Sequence, residues 1–300
     1  MDFATTRPST IRCTAISSNS ISGSSVFPDS TIFPDSTVFP AFPVAPAFPV
    51  FIVGSPRSGT SMLARIMLKV GYHGFEEGNL LGLLYTLNDA VDQHFTWFGT
   101  DNPAVLIAHV EPASMKRQIG EMFRQVFERH HPQPPWFDKT GNPTVIETIP
   151  MLVQIWPHAR FIFAKRRAIE NVVSRLIKFP DHSFEYHLQD WARNMGAWRE
   201  VRAAMPELAC IEVDQQDMVR DPIGVALRIG TLLGLSPLQQ AQIVGSMTSE
   251  RPQQSSFGSA ERVLSLADTG WTPADVDRFV QHCKTEMDAY GYTFDERYWR

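Results

Sequence analysis

The sequence is poor in cysteine, in long apolar runs and in excess positive charge. Its three cysteines, Cys13, Cys210 and Cys283, are too few and too scattered for a disulfide framework or a cysteine-rich zinc site. No apolar stretch approaches the ~20 residues that cross a bilayer. The one candidate, Val38 to Val53, is interrupted by four prolines. A net charge of −5 excludes a generally basic, nucleic-acid-coating surface, so a polyanionic ligand has to be held by locally clustered cations. These absences set the expectation of a soluble, cytoplasmic protein with no metal centre, no transmembrane segment and no nucleic-acid partner.

What is present is enough apolar residue for a sizeable core. With 43% hydrophobic and 20% charged residues over 300 positions, the chain suits one large or two modest globular domains. The core has to come from the later residues. Residues 1–25 are rich in Ser, Thr and Ile, and a hexad-like repeat follows, with Phe27-Pro-Asp-Ser-Thr, Phe33-Pro-Asp-Ser-Thr and then Phe39-Pro, Phe42-Pro and Phe48-Pro. Proline at that density forms neither helix nor ladder, so residues 1–47 are expected to be a disordered Ser/Thr/Pro-rich tail and 48–300 the globular domain. Arg7 and Arg12 among hydroxyl residues suit an organelle transit peptide, although no amphipathic stripe accompanies them; a misplaced start is the alternative.

The chain is organised around residues 51–68, F-I-V-G-S-P-R-S-G-T-S-M-L-A-R-I-M-L. The apolar run Val50–Val53 stops at Gly54, and apolar residues resume at helical spacing through Met62, Leu63, Ile66 and Met67, which reads as strand, tight turn, helix. Gly54 and Gly59 let the backbone reverse. The amides of Ser58 to Ser61, with no carbonyl one turn earlier, are expected to point outward toward an anion. The spacing approaches the phosphate-loop pattern G-x-x-x-x-G-K-[ST], with Gly54, Gly59 and Ser61 in place, Thr60 where the lysine belongs, and Arg57 as the cation inside the turn. A loop without that lysine is poorly suited to ATP but suits a nucleotide with a single phosphate beside its transferable group.

The string Gly54-Ser55-Pro56-Arg57-Ser58-Gly59-Thr60-Ser61 resembles the 5′-phosphosulfate loop of sulfotransferases that use 3′-phosphoadenosine 5′-phosphosulfate (PAPS), in particular the tyrosylprotein and bacterial branch. The resemblance runs in order from about residue 50 to 235. It implies a three-layer α/β sandwich with a central parallel sheet, the P-loop-like sulfotransferase fold, and PAPS as co-substrate with no metal. The acceptor it implies is a small molecule, carbohydrate or peptide bearing a hydroxyl or amine. It makes Arg57, Ser58, Gly59, Thr60 and Ser61 the 5′ site. In the connection Gly71 to Asn79 it makes Glu77 the base that deprotonates the acceptor, with Glu76 as the alternative; a simple acidic helix start and a base at nearby His73 are further readings of that stretch. In Asp138-Lys139-Thr140 it assigns Lys139 to the charge that builds on the bridging oxygen, with Arg57 assisting.

Arg166 and Ser174, eight residues apart, match the arginine and serine of the family's R-D-P-R-D-x-x-x-S motif for the 3′-phosphate. Arg167, Ala168 and Ile169 depart from it, and Lys165 to Arg167 also reads as a solvated charge cluster. Asp217 to Leu235 resembles a structural segment of the family, with Gln215 where a tyrosine is usual. Ser255 or Ser256 falls where the tyrosylprotein branch places a serine on the sulfuryl group.

Strands are expected near Val50–Val53, Trp136–Phe137, Phe161–Ala164 and Ile211–Val213, with a helical cap from residues 78–130. Further helices are expected at Val145 to Trp156, Asp190 to Met205 (a surface helix), after Asp221-Pro222 up to Gly234, and at Trp271 to Tyr290. His94, Phe95, Trp97 and Phe98 form either a core cluster or an acceptor pocket. Two other functions stay open: a P-loop kinase or NTPase, because Ile211-Glu-Val-Asp214 has the form of a magnesium-holding strand, and a nucleotide-binding member that has lost its chemistry.

Overall fold

The computed structural model describes residues 48–98, 102–131, 135–206, 209–249 and 263–300. The expected tail at 1–47 and the two serines Ser255 and Ser256 lie outside them. Five parallel strands form one sheet: β1 (Val50–Gly54), β2 (His73–Phe75), β3 (Trp136–Lys139), β4 (Arg160–Lys165) and β5 (Cys210–Asp214), in the order β2-β3-β1-β4-β5. Register places Ile52 opposite Lys139 and Gly54 opposite Ala164, so the carboxyl ends of the central strands finish side by side.

The sheet is buried on both faces, which explains why its central strands read as continuous apolar runs rather than alternating ones. The alternation is one of destination. Phe51, Val53, Phe161 and Phe163 pack toward α2 (Leu81–Phe98), α3 (Pro112–His130), α4 (Pro143–Glu147), α5 (Ile149–Ile155), α6 (Ala168–Lys178), α7 (Phe184–Ala203) and α11 (Pro273–Ala289). Val50, Ile52, Ile162 and Ala164 pack toward α1 (Thr60–Lys69), α8 (Gln215–Arg220), α9 (Pro222–Leu233) and α10 (Pro237–Ser249). The three-layer α/β expectation is met. No helix among the described residues is long and apolar enough to cross a membrane.

Several boundaries follow from local chemistry. Asp221 caps α9 by accepting from the Gly224 amide, and Gly234 closes that helix in the left-handed conformation, as its sequence implied. The helical run expected over 145–156 is divided at Pro150, which sits in the first turn of α5 and cannot continue the ladder of α4.

Three expectations change. β2 is an additional strand, missed because it is a three-residue edge with glycine at its centre. The helix expected over Asp190 to Met205 starts six residues earlier, as α7; the side carrying Trp191, Met195 and Trp198 is fully buried, while Glu185, Gln189 and Arg193 are exposed. The aromatics at the end of α2 do not form a core cluster. Trp97 is 86% and Phe98 64% exposed, and at 1.5 Å per residue they stand about 24 Å along the helix from Leu81, where the chain leaves Glu77.

Candidate active site

Ligands of parallel α/β sheets sit beyond the carboxyl ends of the strands, and here those ends deliver the chemistry in spatial order. β2 leads to Glu77, β3 ends at Lys139, β1 runs into residues 55–61, and β4 leads to Arg166.

The loop after β1 is a strained reversal. Gly54 has φ 136, and a Cβ there would meet the Ala164 carbonyl oxygen at 2.1 Å, so the close approach of β4 requires glycine. Gly59, at φ 93, turns the chain into α1. Arg57 between them has φ 72, a left-handed conformation that costs a non-glycine residue on the order of 1 kcal/mol and persists where the surroundings enforce it. One expectation needs correction. The Ser58 amide donates inward to the Ser55 carbonyl at 3.2 Å, closing the turn, so donors without a carbonyl one turn earlier begin past Ser58, at the first turn of α1.

The two arginine-bearing turns meet. Arg57 Nε donates to Ser174 Oγ at 2.9 Å, and Arg166 Nη1 donates to the Arg57 carbonyl at 3.3 Å. Burial, and then the Arg166 charge, hold the Arg57 guanidinium below the usual arginine range. The buried Nε of Arg166 has no hydrogen-bond partner among the described residues. Two guanidiniums that disfavour each other, one with an unused donor, fit an anion placed between them.

On the β2 side the Lys139 ammonium is ion-paired with the Glu77 carboxylate; Lys139 is 3% exposed, whereas the Glu77 side chain is 57% exposed. Lys139 is therefore the last residue of a buried strand rather than part of a solvated turn. Its neighbour Asp138, 2% exposed, accepts from Thr140 Oγ1 at 3.0 Å. Burial chiefly, with a smaller push from Glu77, lifts the Asp138 carboxyl to about 6.

Arg167 does not join this cluster. It is fully buried, forked onto Glu170, and donates to the carbonyls of Leu264, Thr293 and Asp295, so the charges at 165–167 part: Lys165 pairs with Glu212, Arg166 meets the loop after β1, and Arg167 clamps the carboxyl-terminal segment. Asp214, the magnesium candidate of the kinase reading, is 1% exposed. It caps α8 through the Gln216 amide and accepts from the Tyr292 and Tyr298 hydroxyls, which commits its oxygens to the fold. Among the described residues no group of three His, Cys, Asp or Glu side chains could hold a metal ion.

Sequence reasoning passed over Asp138, Asn171 and Arg175. Asn171 and Arg175 lie three before and one after Ser174, as polar residues on the buried face of an otherwise apolar helix, and that spacing is the signal that could have found them.

The sequence model of a family described as "Sulfotransferase family" matches residues 49–240. No curated protein matches the chain significantly by sequence. Among solved structures, the chain is similar to sulfotransferase STF9 from Mycobacterium avium, with 14% identity over 84% of this chain and 79% of that one and a TM-score of 0.52. It is also similar to the sulfotransferase domain of the Synechococcus PCC 7002 olefin synthase (16% identity, 83% and 96% covered, TM-score 0.48) and to mouse sulfotransferase SULT7A1 complexed with PAP (14%, 80% and 84%, 0.47).

Proposed function

The chain belongs to the sulfotransferase family, and from that premise we propose that it transfers a sulfuryl group from PAPS to a hydroxyl or amine of a small-molecule, carbohydrate or peptide acceptor. The observation that carries the donor assignment is the meeting of the loop after β1 with the turn after β4. Arg57 touches Ser174 and Arg166 touches the Arg57 backbone, so a ligand with a 5′-phosphosulfate and a 3′-phosphate would bridge groups already in contact.

In this reading Arg57 and the backbone amides of Gly59, Thr60 and Ser61 hold the 5′-phosphosulfate, with Ser58 closing the turn behind them, and Arg166 with Ser174 holds the 3′-phosphate. Glu77 takes the acceptor proton as the acceptor oxygen or nitrogen bonds to sulfur. The bond from sulfur to the 5′-phosphate oxygen breaks, and adenosine 3′,5′-bisphosphate leaves with the electron pair. Lys139 and Arg57 offset the charge that grows on that oxygen, so positioning and electrostatics carry most of the rate. The Glu77–Lys139 contact holds the carboxylate in place beside the lysine that faces the leaving group. The acceptor approaches from the β2 side, because the sheet order puts Glu77 and Lys139 there.

The test is transfer of labelled sulfate from PAPS to an acceptor panel, with and without Glu77→Gln, together with melting in adenosine 3′,5′-bisphosphate free of magnesium. Transfer slowed about 10²–10⁴-fold by the substitution, and stabilisation without metal, are expected. Stabilisation by magnesium-ATP alone would favour a phosphotransferase. Tight bisphosphate binding with no transfer to any acceptor would favour a binding protein.

A further inference from the structure

Beneath the loop after β1 lies a buried polar network that touches neither reacting atom. Asn171, Ser174 and Arg175 share one face of α6, and each is 3% exposed or less. The Asn171 amide donates to the Pro56 carbonyl at 2.9 Å and to Ser58 Oγ at 3.0 Å. Arg175 donates to Ser55 Oγ at 3.0 Å and pairs with Asp190 of α7 at 2.6 Å. Its Nε faces His187 Nδ1 at 3.3 Å, and His187 Nε2 reaches the Phe179 carbonyl at 3.2 Å. Those partners fix a neutral His187 that accepts at Nδ1 and donates at Nε2. Burial, and then the Arg175 charge, hold its pKa down in agreement.

The contacts therefore run from α7 through α6 to Ser55, Pro56 and Ser58, the residues on either side of left-handed Arg57. A guanidinium and a carboxamide this deep would be replaceable by apolar side chains if packing were their only task. Each instead sends a donor to an oxygen of the loop, and one of these, the Pro56 carbonyl, belongs to the peptide that enters Arg57.

We propose that Asn171 and Arg175 are positioning residues for the donor: they hold the loop in its anion-ready form before the ligand arrives, so that binding need not order it. The proposal rests on the phosphosulfate-loop reading above, and its test separates the two. Arg175→Met with Asp190→Leu removes both charges of the buried pair together, leaving neither unpaired, and Asn171→Ala removes the second anchor.

In ligand-free protein, amide exchange over residues 54–62 is expected to quicken at least tenfold in both variants, while exchange in α9 on the opposite face of the sheet stays as in the parent. The Kd for adenosine 3′,5′-bisphosphate is expected to weaken at least tenfold, with melting of the double variant within a few degrees of the parent. Unchanged loop exchange in a variant that still unfolds cooperatively overturns the proposal, and so does faster exchange with an unaltered Kd. A parent protein that does not bind the bisphosphate rejects the donor reading instead, and the exchange result alone then decides the network.

Discussion

Replacing Asp138 by asparagine should stabilise the protein at neutral pH and leave it nearly unchanged in acid. The carboxyl is withdrawn from water at the end of β3, and burial raises it from 3.8 to about 6; Glu77 adds to the rise, while the Thr140 hydrogen bond and Lys139 oppose it. A raised carboxyl binds its proton more tightly folded than unfolded. The stability this provides is complete below about pH 4, drains away between about 4 and 6, and is gone above. A shift of about two units corresponds to roughly 3 kcal/mol. Asparagine carries no charge to desolvate, and its oxygen can still accept from Thr140. The variant should thus exceed the parent by about 1 kcal/mol at pH 4.5 and about 3 kcal/mol at pH 7.5. That is roughly 6–12 °C in Tm for a domain of this size. Urea unfolding across this pH range measures it, and because Asp214 titrates in both proteins its contribution cancels. A variant no more stable at pH 7.5, or a difference that does not grow with pH, refutes the reasoning.

Four other substitutions test neighbouring claims. Tyr292→Phe and Tyr298→Phe each remove one hydroxyl donor from buried Asp214 and should each cost about 1–3 kcal/mol in urea unfolding. Arg167→Met leaves Glu170 buried without its fork and should destabilise by about 3–5 kcal/mol, seen as a lowered thermal midpoint by circular dichroism. Under the transfer reading, Glu77→Gln should lower kcat by about 10²–10⁴ while the bisphosphate Kd moves little, which steady-state kinetics and calorimetry distinguish from a binding defect.

Much of the fold was legible because its signals are local. Val50 to Val53 ends at a glycine that β4 could not otherwise approach, and Asp221-Pro222 and Gly234 bracket a helix by capping alone. β2 was not legible, since three edge residues carry too little pattern to register. What covers the apolar side of α7 was hidden for a different reason. Its two tryptophans are placed by α6, α4 and α11 packing around it, and no local window contains those partners. At the candidate site, Arg57, Lys139, Arg166 and Ser174 stand out by motif. The alternatives weighed at Arg167 and Asp214, a solvated cluster and a magnesium-holding strand, stayed open because residue type says nothing of what a charge faces. Arg167 meets carbonyls about a hundred residues or more downstream, and Asp214 meets two tyrosines from the last ten residues. Asn171 and Arg175 look ordinary until α6 is laid beneath the loop.

The most direct measurement is the calorimetric affinity for adenosine 3′,5′-bisphosphate against adenosine 5′-monophosphate, without magnesium, in the parent and in Arg166→Ala. If the turns after β1 and β4 act together, the bisphosphate binds about a hundredfold more tightly than the monophosphate, and Arg166→Ala removes most of that preference while leaving the monophosphate unaffected. Equal affinity for the two nucleotides in the parent would contradict the account.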